Sequence, residues 1–263
     1  DIILEIGPGI GTLTQYLSEA AGHVTAIEID RNLIPILQET LEGYDNVNVL
    51  HADVLKVDFE RLLCSEEITA LSGGDISYLR QHLKIVANLP YYITTPILMQ
   101  LFEMHLPAKS ITVLVQKEVA QRMEALPGTK EYGMLSLAVQ YYAKTDIAVI
   151  VPPSSFMPPP EVTSAVISLE IYPENQMPCR AQNEKMFFAV VKAAFEQRRK
   201  TLTNALGSKP QIPVDKKKVG ELLEEMGKSP TVRGETLTLA EFVTLSDLVN
   251  QAGESGGGSE QVQ

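Results

Sequence analysis

Through the first two thirds of the chain, short continuous apolar runs alternate with segments whose apolar residues recur every three or four positions. That is the pattern of buried strands separated by amphipathic helices. The runs fall at residues 2–6, 24–29, 47–51, 84–87 and 111–116. Such alternation predicts a parallel sheet covered by helices. The clearest helix is expected over 32–42, with Asp30 as N-cap and Gly43 as the stop. A further helix is expected from Gln116 through Arg122, followed by a loop at Pro127-Gly128. Residues 53–84 are less regular, and Ser72-Gly73-Gly74-Asp75 marks a loop there.

Two long β-rich runs follow, at 142–151 and 164–172, joined by a proline-rich connection over 152–160. A connection this short holds no helical crossover, so the two strands are expected to pair antiparallel. The expected class is α/β, a mostly parallel sheet ending in an antiparallel hairpin. Tyr172-Pro173-Glu174-Asn175 reads as a linker, and helical sequence continues to about residue 250. The expected organisation is a sheet domain over 1–174, a small all-α domain over 175–250, and a Gly-, Ser- and Gln-rich tail over 251–263 that is expected to be disordered. No internal repeat is evident. The chain opens directly on a strand-like run without an initiator methionine, which we read as a fragment lacking its N-terminal segment.

Composition narrows the class. With 44% apolar residues the chain has ample core material. Its four histidines are scattered and Cys64 and Cys179 lie far apart, so no metal-ligand spacing is present and no metal is expected. No apolar run reaches the length of a membrane span and no leader is visible, so a soluble, cytoplasmic protein is expected. The net charge of −11 argues against a polyanionic partner at first sight. Its distribution matters more: residues 1–175 carry 10 Lys and Arg against 22 Asp and Glu, and residues 176–250 carry 12 against 9.

The first run leads into Glu5-Ile6-Gly7-Pro8-Gly9-Ile10-Gly11 and then an amphipathic helix. Glycines there let the chain turn sharply and let a ligand approach amides at the helix start. Nicotinamide enzymes use a related turn, G-x-G-x-x-G, but here Thr12 stands where that pattern places glycine. Glu28 closes the second strand, where an acid meets ribose hydroxyls in nucleotide-binding α/β folds. Asp53, followed by Val54, closes the third and is suited to accept from an adenine amine. Acids at strand ends are also common turn and cap residues, and that reading stands beside the functional one. The candidate cofactor-binding set is Glu5, Gly7, Gly9, Gly11, Glu28, Asp53, Val54 and Asn88.

The fourth run delivers Asn88-Leu89-Pro90-Tyr91. An adenine amine is a poor nucleophile because its lone pair is delocalised into the ring. A site that methylates it must offer acceptors favouring a more tetrahedral nitrogen. The Asn88 side-chain oxygen and the Leu89 carbonyl supply two; Pro90 biases Leu89 to an extended backbone, and Tyr91 offers a ring face to the base. Later come Phe156-Met157-Pro158-Pro159-Pro160-Glu161-Val162-Thr163-Ser164 and Phe195-Glu196-Gln197-Arg198-Arg199-Lys200-Thr201-Leu202. Apolar residues at Phe187, Val190, Val191, Ala194, Phe195, Leu202 and Leu206 form a helical stripe, and Arg198, three turns on from Phe187, points from it. It reads as an interdomain clamp, a phosphate-binding edge or part of a solvated face. Lys216-Lys217-Lys218 reads as a helix-end charge run.

Asn-Leu-Pro-Tyr in this position resembles the catalytic motif of adenine amine methyltransferases. The second run resembles Phe-x-Pro-x-Pro-x-Val-x-Ser, and the third Phe-x-Gln-Arg-Arg-Lys-x-Leu, of the small-subunit (16S) ribosomal RNA adenine N6-dimethyltransferases. The resemblance covers nearly the whole chain to about residue 250. It implies a Rossmann-like class I methyltransferase sheet with S-adenosylmethionine as methyl donor. It further implies dimethylation of two adjacent adenosines near the 3′ end of 16S rRNA in an immature 30S subunit, by a monomer. Asn88, Leu89, Pro90, Tyr91 and Phe156 would form the catalytic set, with Phe156 stacking on the base face opposite Tyr91. Lys117, Arg122, Gln197, Arg198, Arg199 and Lys200 would contact RNA. The family's Gly-Gln-Asn-Phe motif is expected in a segment preceding this chain. Three alternatives remain: a large-subunit rRNA adenine methyltransferase, a noncatalytic ribosome-assembly factor of the same fold, and a nicotinamide oxidoreductase, which Thr12 and the Asn-Leu-Pro turn disfavour.

Overall fold

The computed structural model describes residues 1–257. Its chain forms two compact units, one of Asp1–Ala120 with Ala143–Pro173, the other of Gln121–Tyr142 with the C-terminal part from Glu174.

The first unit is built on a seven-stranded sheet of order β3-β2-β1-β4-β5-β7-β6. The strands are β1 (Ile2–Ile6), β2 (His23–Glu28), β3 (Val47–His51), β4 (Leu83–Ala87), β5 (Ser110–Gln116), β6 (Ala143–Val151) and β7 (Ser164–Ile171). The first five pair in parallel, and β7 lies antiparallel between β5 and β6. β1 and β2 are buried along their whole length, as strands covered on both faces must be, and they are mostly apolar apart from Glu5, His23, Thr25 and Glu28. The edge strand β6 alternates with mostly exposed positions.

Helix α1 (Thr12–Ala20) links β1 to β2, and α2 (Ile34–Thr40) links β2 to β3. The predicted helix over 32–42 is therefore shorter at both ends. Asp30 is not its N-cap: the carboxylate accepts from the Asn32 backbone N–H at 2.8 Å and forms a turn ahead of the helix. Gly11 caps α1 at φ +88°, where a Cβ would stand 2.9 Å from Thr40 Oγ1 and 3.1 Å from Leu37 Cδ2. A glycine there lets α1 begin directly against α2. The irregular stretch before β4 holds three short helices, α3 (Phe59–Leu63), α4 (Glu66–Ser72) and α5 (Ile76–His82), started by the side chains of Asp58, Ser65 and Asp75. Helix α6 (Tyr91–Glu103) joins β4 to β5.

Parallel register places the strand ends at one level. Ile6 pairs with Ile27 on one side and Ala87 on the other, and Glu28 pairs with His51. The chain leaves β1 toward β2 and β3, then returns to β4 and β5 on its opposite side, so the order reverses between β1 and β4. Ligands of open α/β sheets bind at the carboxyl ends of strands at such a reversal.

The second unit contains α8 (Met134–Tyr142), α9 (Glu184–Glu196), α10 (Leu202–Leu206), α11 (Lys216–Glu225) and α12 (Leu239–Gly257). Helix α7 (Lys117–Met123) carries the chain from the first unit into it. Helix α8 was not predicted from sequence: seven of its nine residues are buried, so it lacks a polar face to set a period. Residues 121–142, expected in the sheet domain, pack with the helical unit, and Tyr172–Asn175 is not the only boundary. Tyr132, Tyr141, Phe187 and Phe242 are fully buried there; Tyr141 stacks on Phe187 at 4.6 Å, and the Tyr132 hydroxyl donates to the Leu237 carbonyl at 2.8 Å. Helix α12 continues through residues 251–257, which were expected to be disordered; residues 258–263 of that tail lie outside the described residues.

Helix α9 stops at Glu196, and Gln197 leaves helical geometry at φ −127°, ψ 58°. Arg198 consequently departs from the apolar stripe. Its guanidinium bonds Glu235 Oε2 at 2.8 Å, the Lys130 carbonyl at 2.6 Å and the Thr129 carbonyl at 3.0 Å. These partners all belong to the second unit, so Arg198 clamps residues within one body rather than joining two domains. Replacing Arg198 by alanine should destabilise this unit by about 1 to 2 kcal/mol, since two carbonyls and a carboxylate lose a charged donor. Hydrogen exchange should quicken around residues 126–133. Unchanged exchange there would show the clamp to be unimportant.

Candidate active site

The loop after β1 meets the turn after β4 at the reversal point. Gly7 has φ +71°, and a Cβ on it would lie 2.8 Å from Leu89 Cδ2 and 3.9 Å from the Asn88 carbonyl oxygen. The left-handed backbone conformation favours glycine there, and the tip of the Leu89 side chain packs over the space a Cβ would take. The Gly7 amide donates to the Ile27 carbonyl at 3.0 Å, which extends the β1–β2 ladder one step into the loop.

Glu28 organises the same loop. It is only 5% exposed, and its carboxylate accepts from the Gly9 amide at 3.3 Å and the Asp30 amide at 2.8 Å. Each oxygen keeps a further lone pair for a hydroxyl donor. Asp53 does what a strand-end acid most often does: its Oδ1 accepts from the Leu55 amide at 3.1 Å, and its Oδ2 lies 3.4 Å from Lys56 Nζ. Val54, buried, begins the single 3₁₀ turn that Asp53 caps.

Glu5 is the anomaly of this edge. It is 1% exposed on a central strand, and burial pushes its carboxyl from 4.5 up to about 6. The neighbouring Thr14 hydroxyl pulls weakly the other way. Yet neither Glu5 Oε2 nor Thr14 Oγ1 has a hydrogen-bond partner of ordinary geometry among the described residues. An unsatisfied buried carboxylate oxygen beneath a glycine loop suits a group that donates from the ligand side.

The turn after β4 presents the chemistry. Asn88 and Pro90 are exposed and Leu89 half-buried against Gly7. Pro90, at φ −53° and ψ 137°, precedes α6, and its carbonyl accepts from the Ile93 amide and the Thr94 hydroxyl, each at 3.1 Å. Tyr91 is the first residue of that helix, and its hydroxyl lies 2.6 Å from Ser164 Oγ.

Antiparallel β7 begins where parallel β5 ends, because Ser164 pairs with Gln116. Val151, the last residue of β6, also pairs with Ser164. The 152–163 connection carrying Phe156 is thereby delivered to the same edge as Gly7, Glu28, Asp53 and Asn88. Phe156 itself is half-buried in extended backbone, with its amide bonded to the Pro153 carbonyl at 3.1 Å. Lys117 follows β5, exposed, its amide donating to the Thr163 carbonyl at 2.9 Å.

The remaining RNA candidates lie in the second unit. Arg122 is exposed on α7, while Gln197, Arg199 and Lys200 are exposed where α9 ends. Gln197, Arg199 and Lys200, but not Arg122, border a cleft of about 680 Å³ that also includes Thr201 and Asn204. Arg198, whose guanidinium is held by Glu235 and two carbonyls, differs from its neighbours in the same run. Sequence reasoning quoted Ser164 within a motif but gave it no role. The missed signal is a serine at a strand start in a run otherwise read for its aromatic and prolines.

The raised carboxyl of Glu5 has a sign that can be checked. Folded Glu5 binds its proton more tightly than the unfolded chain does, so its contribution is fully present below pH 4.5 and is lost as pH rises to about 6. The loss amounts to about 2 kcal/mol. Glu5→Gln should remove this decline, which is read by comparing denaturant unfolding of the two proteins between pH 4 and 7. Parallel profiles would contradict it.

Comparison with known proteins agrees with this geometry. A family model described as "Ribosomal RNA adenine dimethylase" matches residues 1–243. A protein of Lachnoclostridium phytofermentans named "Ribosomal RNA small subunit methyltransferase A" is 52% identical over 252 residues, covering 95% of this chain and 82% of the relative. A Clostridioides difficile protein of the same name is 48% identical over 250 residues, covering 95% and 81%. Among solved structures, a dimethyladenosine transferase from Plasmodium falciparum superposes with a TM-score of 0.75 at 26% identity, covering 96% of this chain and 91% of that one. The 23S rRNA methyltransferase ErmE shares the fold, with a TM-score of 0.63 at 22% identity over 95% and 91%. With the family model matched over residues 1–243 and relatives about half identical over nearly the whole chain, the chain belongs to the ribosomal RNA adenine dimethylase family.

Proposed function

We propose that this protein transfers methyl groups from S-adenosylmethionine to the N6 amines of two adjacent adenosines in a loop near the 3′ end of 16S rRNA, acting as a monomer on an immature 30S subunit in the cytoplasm. The observation that carries the proposal is the contact of Gly7 with the Asn88-Leu89 turn, which brings the cofactor loop and the amine-binding turn together at the β1–β4 reversal.

The residues present fit the donor. Its ribose hydroxyls have the free lone pairs of Glu28 to meet, its adenine amine has Asp53, and the Gly7–Gly11 loop leaves room for close approach. Glu5 Oε2 supplies a buried acceptor beneath that loop. When bound, S-adenosylmethionine supplies an electrophilic methyl on a sulfonium. The protein's part is to hold the nucleophile in line with it.

The Asn88 side-chain oxygen and the Leu89 carbonyl accept the two amine hydrogens, which draws the nitrogen toward tetrahedral geometry and frees its lone pair. The rings of Tyr91 and Phe156 replace the stacking that the extruded base gives up. The amine becomes acidic as it is methylated, so its proton needs no strong base. Lys117, Arg122, Gln197, Arg199 and Lys200 are proposed to meet phosphates. Arg198, also expected to do so, is better placed to brace the segment that carries them. The Phe195–Leu202 run and the relatives' names favour the small subunit over the large as substrate.

Methyl incorporation by the protein into immature 30S particles should fall on the order of 100-fold in Asn88→Ala, with cofactor affinity nearly retained. Glu28→Ala should instead weaken cofactor binding by at least 10-fold, measured by calorimetry. Tight particle binding with no incorporation even by the parent protein would favour a noncatalytic assembly role.

If Arg199 and Lys200 contact phosphate, replacing both by alanine should flatten the slope of log affinity for RNA against log salt by roughly 1 to 2. An unchanged slope would remove them from the interface.

A further inference from the structure

We infer that Ser164 is a positioning residue for the reaction, holding the ring of Tyr91 where the target base stacks. The inference rests on the stacking role proposed for Tyr91. Tyr91 Oη and Ser164 Oγ are 2.6 Å apart, and either oxygen can donate. Ser164 is wholly buried at the first position of β7, where it pairs with Gln116 of β5 and Val151 of β6. Two flanking strands make it one of the most rigid points of this edge.

Tyr91 stands on softer ground. It opens α6 behind Pro90, and no side chain caps that helix start. First-turn residues fray, and a half-exposed ring there has several rotamers open to it. A hydrogen bond to the distal hydroxyl fixes both ends of the ring's long axis, which settles χ1 and leaves only the tilt of the ring face to local packing. The base then meets a ring already in place, and less ordering has to accompany binding.

The bond also ties two stretches of sequence 73 residues apart. Ser164 ends the run that begins with Phe156, so the strand start that holds Tyr91 also anchors the connection bearing the second aromatic. A phenylalanine at position 91 keeps the stacking face and loses this tie. A buried serine hydroxyl needs a partner in any case, so the rate, not stability alone, must show the effect.

The test compares Tyr91→Phe, Ser164→Ala, the double variant and Tyr91→Ala in methyl transfer to 30S particles, with melting temperature and cofactor affinity measured alongside. Expected is a loss of about 5-fold in kcat for Tyr91→Phe and for Ser164→Ala, as for one hydrogen bond. The double variant should be no slower than either single, and cofactor affinity should be unchanged. Either single variant within twofold of the parent, or losses that multiply in the double, would overturn the inference. If Ser164→Ala fails to fold, Tyr91→Phe decides alone, because it leaves the packing of Ser164 intact. Tyr91→Ala separates the two levels: full activity there sinks the stacking role itself. An inactive Tyr91→Ala beside fully active Tyr91→Phe and Ser164→Ala sinks only the positioning role.

Discussion

The approach of Gly7 to Leu89 is the constraint from which the rest of the site follows. Parallel pairing sets Ile6 level with Ile27 and Ala87, so whatever follows β1, β2 and β4 emerges side by side. At that level residue 7 takes a left-handed turn that favours glycine, with the tip of the Leu89 side chain packed over it. The turn sends the chain up into α1, and the Gly7, Gly9 and Gly11 amides are held by the Ile27 carbonyl, the Glu28 carboxylate and the Pro8 carbonyl. It also gives Leu89 a floor to pack on, which holds the Asn88-Leu89 backbone close to the glycine loop. An alanine here would strain the left-handed turn and push the tip of Leu89 aside.

Charge divides along the structural units differently from the sequence halves. With residues 121–142 counted in the second unit, the first carries 8 Lys and Arg against 19 Asp and Glu, and the second 14 against 14. The helical unit is thus neutral rather than basic. An acidic body repels a polyanion at long range, so attraction must come from a few closely placed cations acting within a Debye length. Arg199 and Lys200 suit that role better than the average charge of any domain does.

The sheet was legible because its strands are short segments rich in apolar and β-branched residues, and every strand boundary fell within about a residue or two of its observed place. The glycine loop and the strand-end acids followed from the same reading. What escaped was whatever depends on tertiary contact. Helix α8 has no polar face, so its period is invisible. The membership of residues 121–142 in the second unit hinges on contacts such as Arg198 with Thr129 and Lys130, which no local pattern encodes. Asp30 was assigned a cap because aspartate before a helix usually is one, but here it closes a turn one step earlier.

Motif runs mix residues of different duty, and burial separates them where spacing does not. In Gln197-Arg198-Arg199-Lys200, one guanidinium faces inward onto two carbonyls and a carboxylate while its neighbours face solvent. From Phe156 to Ser164, an aromatic remains partly open and a serine is sealed within the sheet. Glu28 combines both duties in one group. Its bonds to Gly9 and Asp30 shape the loop, and the remaining lone pairs of the same oxygens are those proposed to meet a ligand. Loss of such a residue cannot be assigned to binding or to architecture by affinity alone. A glutamine, which keeps one carbonyl acceptor for the Gly9 or Asp30 amide, is the substitution that pulls the two apart.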